Sequence, residues 1–218
     1  MYASRTRNYL IAATALLVAC GGQAEEAAEA SEGEGTPAPE MTAASGGLDG
    51  CYLARGTMEE AQARPSPLTE VGLVYDGGAG LICYGAPSAN GREVMGGLVP
   101  WGAPWRLGAN EPTTIHLTAP ASIGGVAVDP GSYSIYAIPG ESEWQFFINS
   151  THERWGIPIN DEVRAADIGS FTATPEAMDE MVEQLAVRYE VNDENTMGDI
   201  VMEWENTRLT FHLHPGNM

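Results

Sequence analysis

The chain has 218 residues, a formal net charge of −20 at pH 7 and no lysine, so that all ten basic residues are arginine. This length suits one domain with a tail, or two very small domains. So large a negative charge repels nucleic acids and anionic membrane surfaces, and we therefore expect no nucleic-acid partner.

Residues 1–19 show the three-part pattern of an export signal. Arg5 and Arg7 form a positively charged start, and residues 9–18 form an apolar run that only Thr14 interrupts. An apolar run of about ten residues is too short to span a bilayer as a permanent helix. The pattern therefore predicts a signal peptide that is removed on export.

The end of this apolar run resembles a bacterial lipobox. It reads Leu17-Val18-Ala19-Cys20, with a branched apolar residue, a small residue before the cut and a cysteine. The resemblance implies that Cys20 is acylated and becomes the N-terminus of a membrane-anchored lipoprotein, since several acyl chains give stable anchoring. Gly21, rather than aspartate, follows the cysteine and favours the outer membrane. The alternative is an ordinary secretory peptide with a chance cysteine.

Residues 20–47 are predicted to be an acidic, disordered tether. From Gln23 to Gly47 the composition is dominated by alanine, glutamate, glycine, serine and proline, and no aromatic residue occurs. Such a segment cannot bury enough apolar surface to offset the entropy lost on ordering. We therefore expect a single β-rich domain over residues 48–218.

The two cysteines of this domain predict a disulfide. Lipidation uses Cys20, which leaves Cys51 and Cys83 in an oxidising compartment. A Cys51–Cys83 bond would fix the segment after the tether to the second strand. The alternative is two separate buried thiols.

Period-two alternation of apolar residues recurs from about Thr69 onward, with turn residues between the runs. Val71, Leu73 and Tyr75 form one such run, and Asp76-Gly77-Gly78 after it is typical of a β-hairpin turn. Nine or ten short strands at this spacing predict an all-β domain, either a β-sandwich or an open barrel.

One short helix is predicted near residues 175–185. Thr174 can cap it, Pro175 suits its first turn, and the apolar residues that follow have helical spacing. The alternative is that residues 184–191 continue as a strand.

The C-terminal residues predict a final β-hairpin. Residues 199–205 and 207–214 both carry apolar side chains at alternate positions. Residues 204–208 are predicted to form the tight turn, because Asn206 and Thr207 can hydrogen-bond to the backbone locally. A binding role for this turn is secondary.

Long, ordered motifs resemble the bacterial domain of unknown function 2911. They are Tyr84-Gly85-Ala86-Pro87, Asn90-Gly91-Arg92, residues 96–102, 105–111, 131–134 and 138–141, Trp144, Trp155-Gly156 and residues 203–208. The resemblance covers roughly residues 66–214 and implies a secreted or lipid-anchored protein without an established activity. That family usually has arginine where this chain has Ala86. If that arginine binds a ligand in relatives, this member has lost part of the site.

The segment 92–111 is the best candidate for a ligand site. It is rich in glycine and proline, and long irregular loops on rigid scaffolds often hold sites. The candidate ligand-binding residues are Arg92, Trp101, Trp105, Arg106, Asn110 and Glu111. Tryptophan faces beside arginine, amide and carboxylate groups can bind a sugar by stacking and bidentate hydrogen bonds. The alternative is structural: Trp105 closes one end of the sandwich, and Arg106 pairs with Glu111.

The sequence lacks the common catalytic and metal-binding motifs. His152-Glu153 lacks the second histidine of the H-E-x-x-H zinc-protease motif, and no G-x-S-x-G, P-loop or dinucleotide-binding fingerprint occurs. His212 and His214 share one face of a strand, but that face is predicted to be exposed to solvent. We therefore expect neither a metal nor another cofactor.

These observations favour an envelope lipoprotein without catalytic activity, whose β-domain binds a small molecule, a glycan or a protein through the loop 92–111. The membrane is the expected partner of the lipid anchor. Two alternatives stay open. One is a hydrolase acting on sugars or cell-wall material through Glu111 and another carboxylate, and the other is a purely structural envelope protein.

Overall fold

The computed structural model describes residues 50–191 and 197–216. The predicted signal peptide, the tether and Cys20 lie outside these residues. The described residues form ten strands and two short helices, which in chain order are α1 (Met58–Gln62), β1 (Leu68–Tyr75), β2 (Gly78–Gly85), β3 (Thr113–Leu117), β4 (Ala121–Ile123), β5 (Val126–Val128), β6 (Gly131–Ile138), β7 (Trp144–Asn149), α2 (Asp161–Arg164), β8 (Asp167–Ala173), β9 (Glu176–Val191) and β10 (Gly198–Pro215).

The strands form two antiparallel sheets. Six strands lie in the order β1-β2-β3-β6-β7-β8, and four lie in the order β5-β4-β10-β9. The predicted β1–β2 hairpin is present: Tyr75 pairs with Gly78 across a two-residue turn in which Gly77 has a φ of +75°. The predicted all-β fold of about ten strands is confirmed, and two packed open sheets are consistent with a β-sandwich.

The core lies between the two sheets, where their apolar faces meet. The ring centroids of Phe146 on β7 and Phe171 on β8 lie 5.2 and 5.1 Å from that of Phe211 on β10. Trp144 and Ile148, at alternate positions on β7, are also almost fully buried. Aromatic pairs of this kind stabilise a fold by about 0.5–1.5 kcal/mol each beyond the area they bury.

The predicted helix near residues 175–185 is wrong, because strand β9 occupies Glu176–Val191. The local spacing of apolar residues suits a helix, but a helix of this length is marginal on its own. Pairing with β10 satisfies the same backbone groups and places Leu185 and Val187 in the core. The alternative of a strand over residues 184–191 is confirmed, and that strand extends further towards the N-terminus.

The predicted terminal hairpin is also wrong, because Gly198–Pro215 is one continuous strand. The expected turn is a bulged part of that strand: its register with β9 shifts on both sides of Glu205, whose φ is +56°. The Glu205 carboxylate accepts hydrogen bonds from the backbone N–H groups of Val94 and Met95 at 3.3 and 3.2 Å. The bulge therefore directs a carboxylate at the loop that follows β2.

The predicted Cys51–Cys83 disulfide is confirmed, with the two Cα atoms 5.7 Å apart. It ties residues 50–67, which we call the strap, to strand β2. Within the strap, helix α1 begins with a capping box in which Thr57 and Glu60 bond to each other's backbone N–H groups. In the described part of the chain, no helix is long and apolar enough to cross a bilayer.

Candidate functional site

The outer face of the six-stranded sheet, opposite the core, carries polar side chains that are nonetheless buried. Thr114 and His116 on β3, Ser134 on β6 and Asn149 on β7 expose 8% of their surface or less. They are buried because residues 150–166, which connect β7 to β8, fold back over this face. We call these residues the covering segment. Alternation in the sequence assigns such a face to solvent, so its burial is a finding of the structure.

The covering segment is hydrogen-bonded to the sheet near both of its ends. Near its start, the Ser134 hydroxyl donates to the carbonyl of Thr151 at 2.8 Å. Near its end, the Asn149 amide donates to the carbonyl of Val163 at 2.6 Å and to the carboxylate of Asp167 at 2.7 Å. These bonds fix the segment as part of the fold rather than as a free loop.

Arg154 is half-buried and organises the middle of the covering segment. Its guanidinium donates to the carbonyls of Thr151, Trp155 and Gly156 at 3.1–3.4 Å. A fourth bond reaches the Ser134 hydroxyl at 3.4 Å. Burial lowers the pKa of the Arg154 guanidinium. Because its donors are largely used by the protein, this arginine fixes the shape of the segment.

An open cleft of about 420 Å³ lies along the covering segment. Its volume falls within the range of roughly 300–1,000 Å³ that is usual for small-molecule sites. The lining mixes apolar with polar side chains, namely Trp155, Ile157, Pro158 and Val163 with Thr151, Glu153, Arg154, Asn160 and Glu162. The Glu153 side chain is 71% exposed, so its carboxylate lies at the rim.

Trp155 is held in the cleft from two directions. The Arg55 guanidinium of the strap lies 4.8 Å from the centroid of the indole, in a cation–π contact. On the chain next to the indole, the Gly156 N–H donates to the Asn110 carbonyl at 3.0 Å. A Cβ at Gly156 would lie 2.4 Å from that carbonyl oxygen and from Cδ of Arg106. Glycine therefore allows the closest approach of the two segments, and the indole is fixed in orientation.

Three of the predicted ligand-binding residues, Arg106, Asn110 and Glu111, support this arrangement and do not line the cleft. Glu111 is 3% exposed, and its Oε2 accepts a hydrogen bond from Arg64 at 2.7 Å. Among the described residues, Glu111 Oε1 and Arg106 Nε are buried without a hydrogen-bond partner. Burial lowers the pKa of Arg106, and the charge of Glu111 opposes that shift. The Asn110 amide donates to the Ser66 carbonyl at 3.1 Å.

The other three predicted residues lie elsewhere. The Trp105 ring packs between Trp144 and Trp204, with centroid distances of 5.9 and 6.0 Å. Trp101 is 41% exposed. Arg92 is exposed and donates to backbone carbonyls three and four residues before it. The structure therefore does not bring the six residues into one cluster, and a ligand role for them stays a prediction.

Two histidines come together where the covering segment meets the sheet. The ring centroids of His116 and His152 lie 6.1 Å apart. His116 Nε2 lies 3.0 Å from the hydroxyl of Thr114, and its Nδ1 lies 2.7 Å from the hydroxyl of Ser132. Burial lowers the pKa of His116, and the neighbouring His152 lowers it further. The sequence contained no motif that joins these four residues.

His212 and His214 lie on the other sheet, on β10. His212 is exposed, and its Nδ1 lies 2.5 Å from the carboxylate of Asp199. Within residues 50–191 and 197–216, no three His, Cys, Asp or Glu side chains are grouped so that they could hold a metal ion.

Sequence reasoning missed the cleft, although one signal pointed to it. Trp155-Gly156 was among the motifs of the family resemblance but carried no assigned role. Arg64 gave no local signal, because its partner Glu111 lies 47 positions further along the chain. Arg55 gave none either, because its contact with Trp155 is equally non-local.

Comparison with known proteins identifies the family and no activity. Residues 66–213 match the family described as protein of unknown function DUF2911. This range includes the covering segment and the loop that supports it, while Arg55 and Arg64 precede it. Searches of curated proteins and of solved structures find no match to the chain. Because the matched range covers most of its length, the chain belongs to the DUF2911 family.

Proposed function

We propose that the domain binds a neutral, hydroxyl-rich small molecule, such as a sugar unit of a glycan, in the cleft along the covering segment. The observation that carries this proposal is a fixed tryptophan beside carboxylate and amide side chains in one cleft. An indole face packs against the C–H groups of a sugar ring. Carboxylates accept charge-assisted hydrogen bonds from sugar hydroxyls.

The charges around the cleft favour a neutral ligand. An anion would meet the Glu153 and Glu162 carboxylates on a chain of net charge −20, while Arg154 is already bonded to the protein. A cation would meet the Arg55 guanidinium over the indole and the Arg154 guanidinium in the cleft lining. A neutral ligand with hydroxyl groups carries no charge that either the carboxylates or the guanidinium groups would repel. Its hydroxyls can donate hydrogen bonds to the same carboxylates.

The loop 92–111 contributes to this function by supporting the cleft. The Asn110 carbonyl accepts a hydrogen bond from the Gly156 N–H, and the Arg106 side chain packs against Gly156. In the same loop, Glu111 forms an ion pair with Arg64. A sugar hydrolase based on Glu111 finds no support in the geometry, because that carboxylate is buried, ion-paired and outside the cleft lining.

We also propose that the chain is an outer-membrane lipoprotein anchored through Cys20, with residues 20–47 as a spacer. The Cys51–Cys83 disulfide supports an oxidising compartment outside the cytoplasm. Labelled palmitate should enter the full-length chain expressed in a bacterium and should be absent from Cys20→Ser. Equal labelling of the two chains would contradict the anchor.

The binding proposal is tested by calorimetric titration with three neutral oligosaccharides: cellohexaose, chitohexaose and maltohexaose. At least one should bind with a Kd between about 1 μM and 1 mM, which corresponds to roughly −8 to −4 kcal/mol. Trp155→Ala should weaken that binding at least about tenfold, a loss of about 1.4 kcal/mol or more. Circular dichroism confirms that the variant is folded.

Trp101→Ala separates the cleft from the predicted loop site, because Trp101 is an exposed tryptophan outside the cleft lining. Unchanged affinity in this variant, together with a loss in Trp155→Ala, supports the cleft. Binding that depends on Trp101 and not on Trp155 would place the site in the loop 92–111. Absence of binding by all three oligosaccharides at millimolar concentration would overturn the sugar proposal.

A further inference from the structure

A second feature of the outer face is independent of the cleft. Ser132 on β6 and His116 on β3 lie directly opposite each other in the sheet, with the serine hydroxyl 2.7 Å from His116 Nδ1. On the other side of the ring, Nε2 lies 3.0 Å from the Thr114 hydroxyl. When Nε2–H donates to Thr114, Nδ1 accepts from Ser132. A hydroxyl, a base in hydrogen-bond reach and a third group that orients the base are the components of an activated nucleophile.

The surroundings of His116 keep its ring neutral. The residue is 8% exposed, and burial and His152 both lower its pKa below the usual value. Two ionisable groups face this pair from the covering segment. One is the His152 ring, and the other is the Arg154 guanidinium, which reaches Ser134 two residues after Ser132. A neutral imidazole can accept a proton at pH 7, and a nearby guanidinium can stabilise a developing oxyanion.

We infer that Ser132 and His116 are the nucleophile and the general base of a site that hydrolyses small carboxylic esters. Ser132 is half-buried and His116 is more deeply buried, so a substrate meets the hydroxyl before it meets the imidazole. The Arg154 guanidinium lies on the same side of the sheet, and because its N–H groups already bond to the protein it contributes its positive charge rather than a hydrogen bond to the substrate. The inference goes beyond ligand binding and does not depend on the proposed sugar binding, although Arg154 also lines the cleft.

The reaction has two half-steps. Ser132 Oγ attacks the ester carbonyl carbon while its proton passes to His116 Nδ1. The bond to the alcohol oxygen then breaks, and the alcohol leaves with that proton. Water attacks the acyl-serine and gives a proton to His116, after which the carboxylic acid departs and Ser132 recovers its proton. One ester and one water are consumed, and one acid and one alcohol are formed.

The first test needs no variant. The wild-type domain is treated with a fluorophosphonate probe, which forms an Oγ–P bond with an activated serine as the P–F bond breaks. Peptide mass spectrometry should place the label on Ser132. A wild-type protein with no label on Ser132 would overturn the inference.

The second test measures the hydrolysis of p-nitrophenyl acetate, a small ester that does not require the cleft. Ser132→Ala should reduce the rate to that of buffer, and His116→Asn should reduce it roughly 100-fold, as expected for loss of a general base. Ser170→Ala is the matched control, because Ser170 is an exposed serine on β8 of the same sheet and should leave the rate unchanged. Melting curves establish that each variant is folded.

The pH profile separates a catalytic base from a structural histidine. The wild-type rate should rise with pH and level off above the pKa of His116, which lies below about 6.5 because burial and His152 lower it. A Ser132→Ala variant with the wild-type rate would overturn the inference. So would a rate that falls as the pH rises from 4 to 8, because a general base is more active when it is deprotonated.

Discussion

Substitution of Arg64 by alanine tests whether the loop 92–111 is held by a buried ion pair. The Arg64 side chain is 20% exposed and that of Glu111 is 4% exposed, with a nitrogen–oxygen distance of 2.7 Å. In Arg64→Ala, the Glu111 carboxylate stays buried but loses its hydrogen-bonded cation. Its other oxygen already lacks a partner among the described residues.

The expected cost follows from this geometry. Removal of one partner of a buried ion pair costs about 3–5 kcal/mol, because the other charge is left uncompensated. Arg64 is partly exposed, so water can reach Glu111 in the variant, and the charge of Arg106 still acts on that carboxylate; we therefore expect the lower end, about 3 kcal/mol. For a domain of this size, that loss lowers Tm by roughly 6–12 °C.

Urea denaturation of the wild type and of Arg64→Ala measures this cost directly. The same substitution in a Glu111→Gln background should cost at least about 2 kcal/mol less, because no buried charge is left behind. Arg92→Ala is the control: this arginine is exposed and bonds only to nearby carbonyls, so its loss should cost less than about 1 kcal/mol. A cost for Arg64→Ala as small as that of the control would refute the reasoning, as would an equal cost in the Gln background.

Three further predictions concern other parts of the fold. Gly156→Ala should destabilise the domain by about 1–3 kcal/mol in urea denaturation, because the new Cβ would lie 2.4 Å from a backbone oxygen; wild-type stability would contradict that contact. Replacing both Cys51 and Cys83, which are 32 positions apart, by alanine should cost about 2–4 kcal/mol, and a Tm unchanged by the double substitution would show that the bond contributes nothing. Burial and His152 lower the pKa of His116 in the folded state, so the His116 ring binds a proton more tightly in the unfolded chain. The free energy of unfolding should therefore fall as the pH drops below about 6.5, the usual pKa of histidine. Urea midpoints at pH 7.5 and 5.5 should therefore differ less in His116→Asn than in the wild type, and an equal difference would count against this assignment.

The strands and the disulfide were predictable because they depend on strong local signals. Alternation of apolar and polar residues, the signal that predicted the strands, places Trp144, Phe146 and Ile148 on one face of β7, and that face is buried. The pairing of Cys51 with Cys83 followed from the number of cysteines and the expected compartment.

The two errors near the C-terminus have a common cause. Local spacing favoured a helix near residues 175–185, and local turn chemistry favoured a turn at residues 204–208. Both segments instead pair with each other along β9 and β10, and a bulge at Glu205 accommodates the residues that suggested a turn. Such long-range pairing cannot be read from a window of ten residues.

The candidate site was only partly predictable for a similar reason. The sequence correctly predicts an irregular loop over residues 92–111. In the structure, however, Arg106 and Asn110 of this loop contact Gly156 and do not themselves face the cleft. Nothing in the sequence indicates that the polar face around His116 is buried. Its burial depends on the covering segment, which begins 34 positions after His116 in the chain. Alternation alone treats every outward-facing polar residue as exposed.

The central claim is that the indole of Trp155 contacts a neutral sugar in the cleft. The chain has five tryptophans, so a ¹H–¹⁵N spectrum of the labelled domain offers one indole N–H signal for each, assignable by single Trp→Phe substitutions. During titration with the oligosaccharide that binds best in calorimetry, the Trp155 signal should shift most, while that of Trp101 should stay in place. A titration that shifts the Trp101 signal and leaves the Trp155 signal unmoved would contradict the proposed cleft.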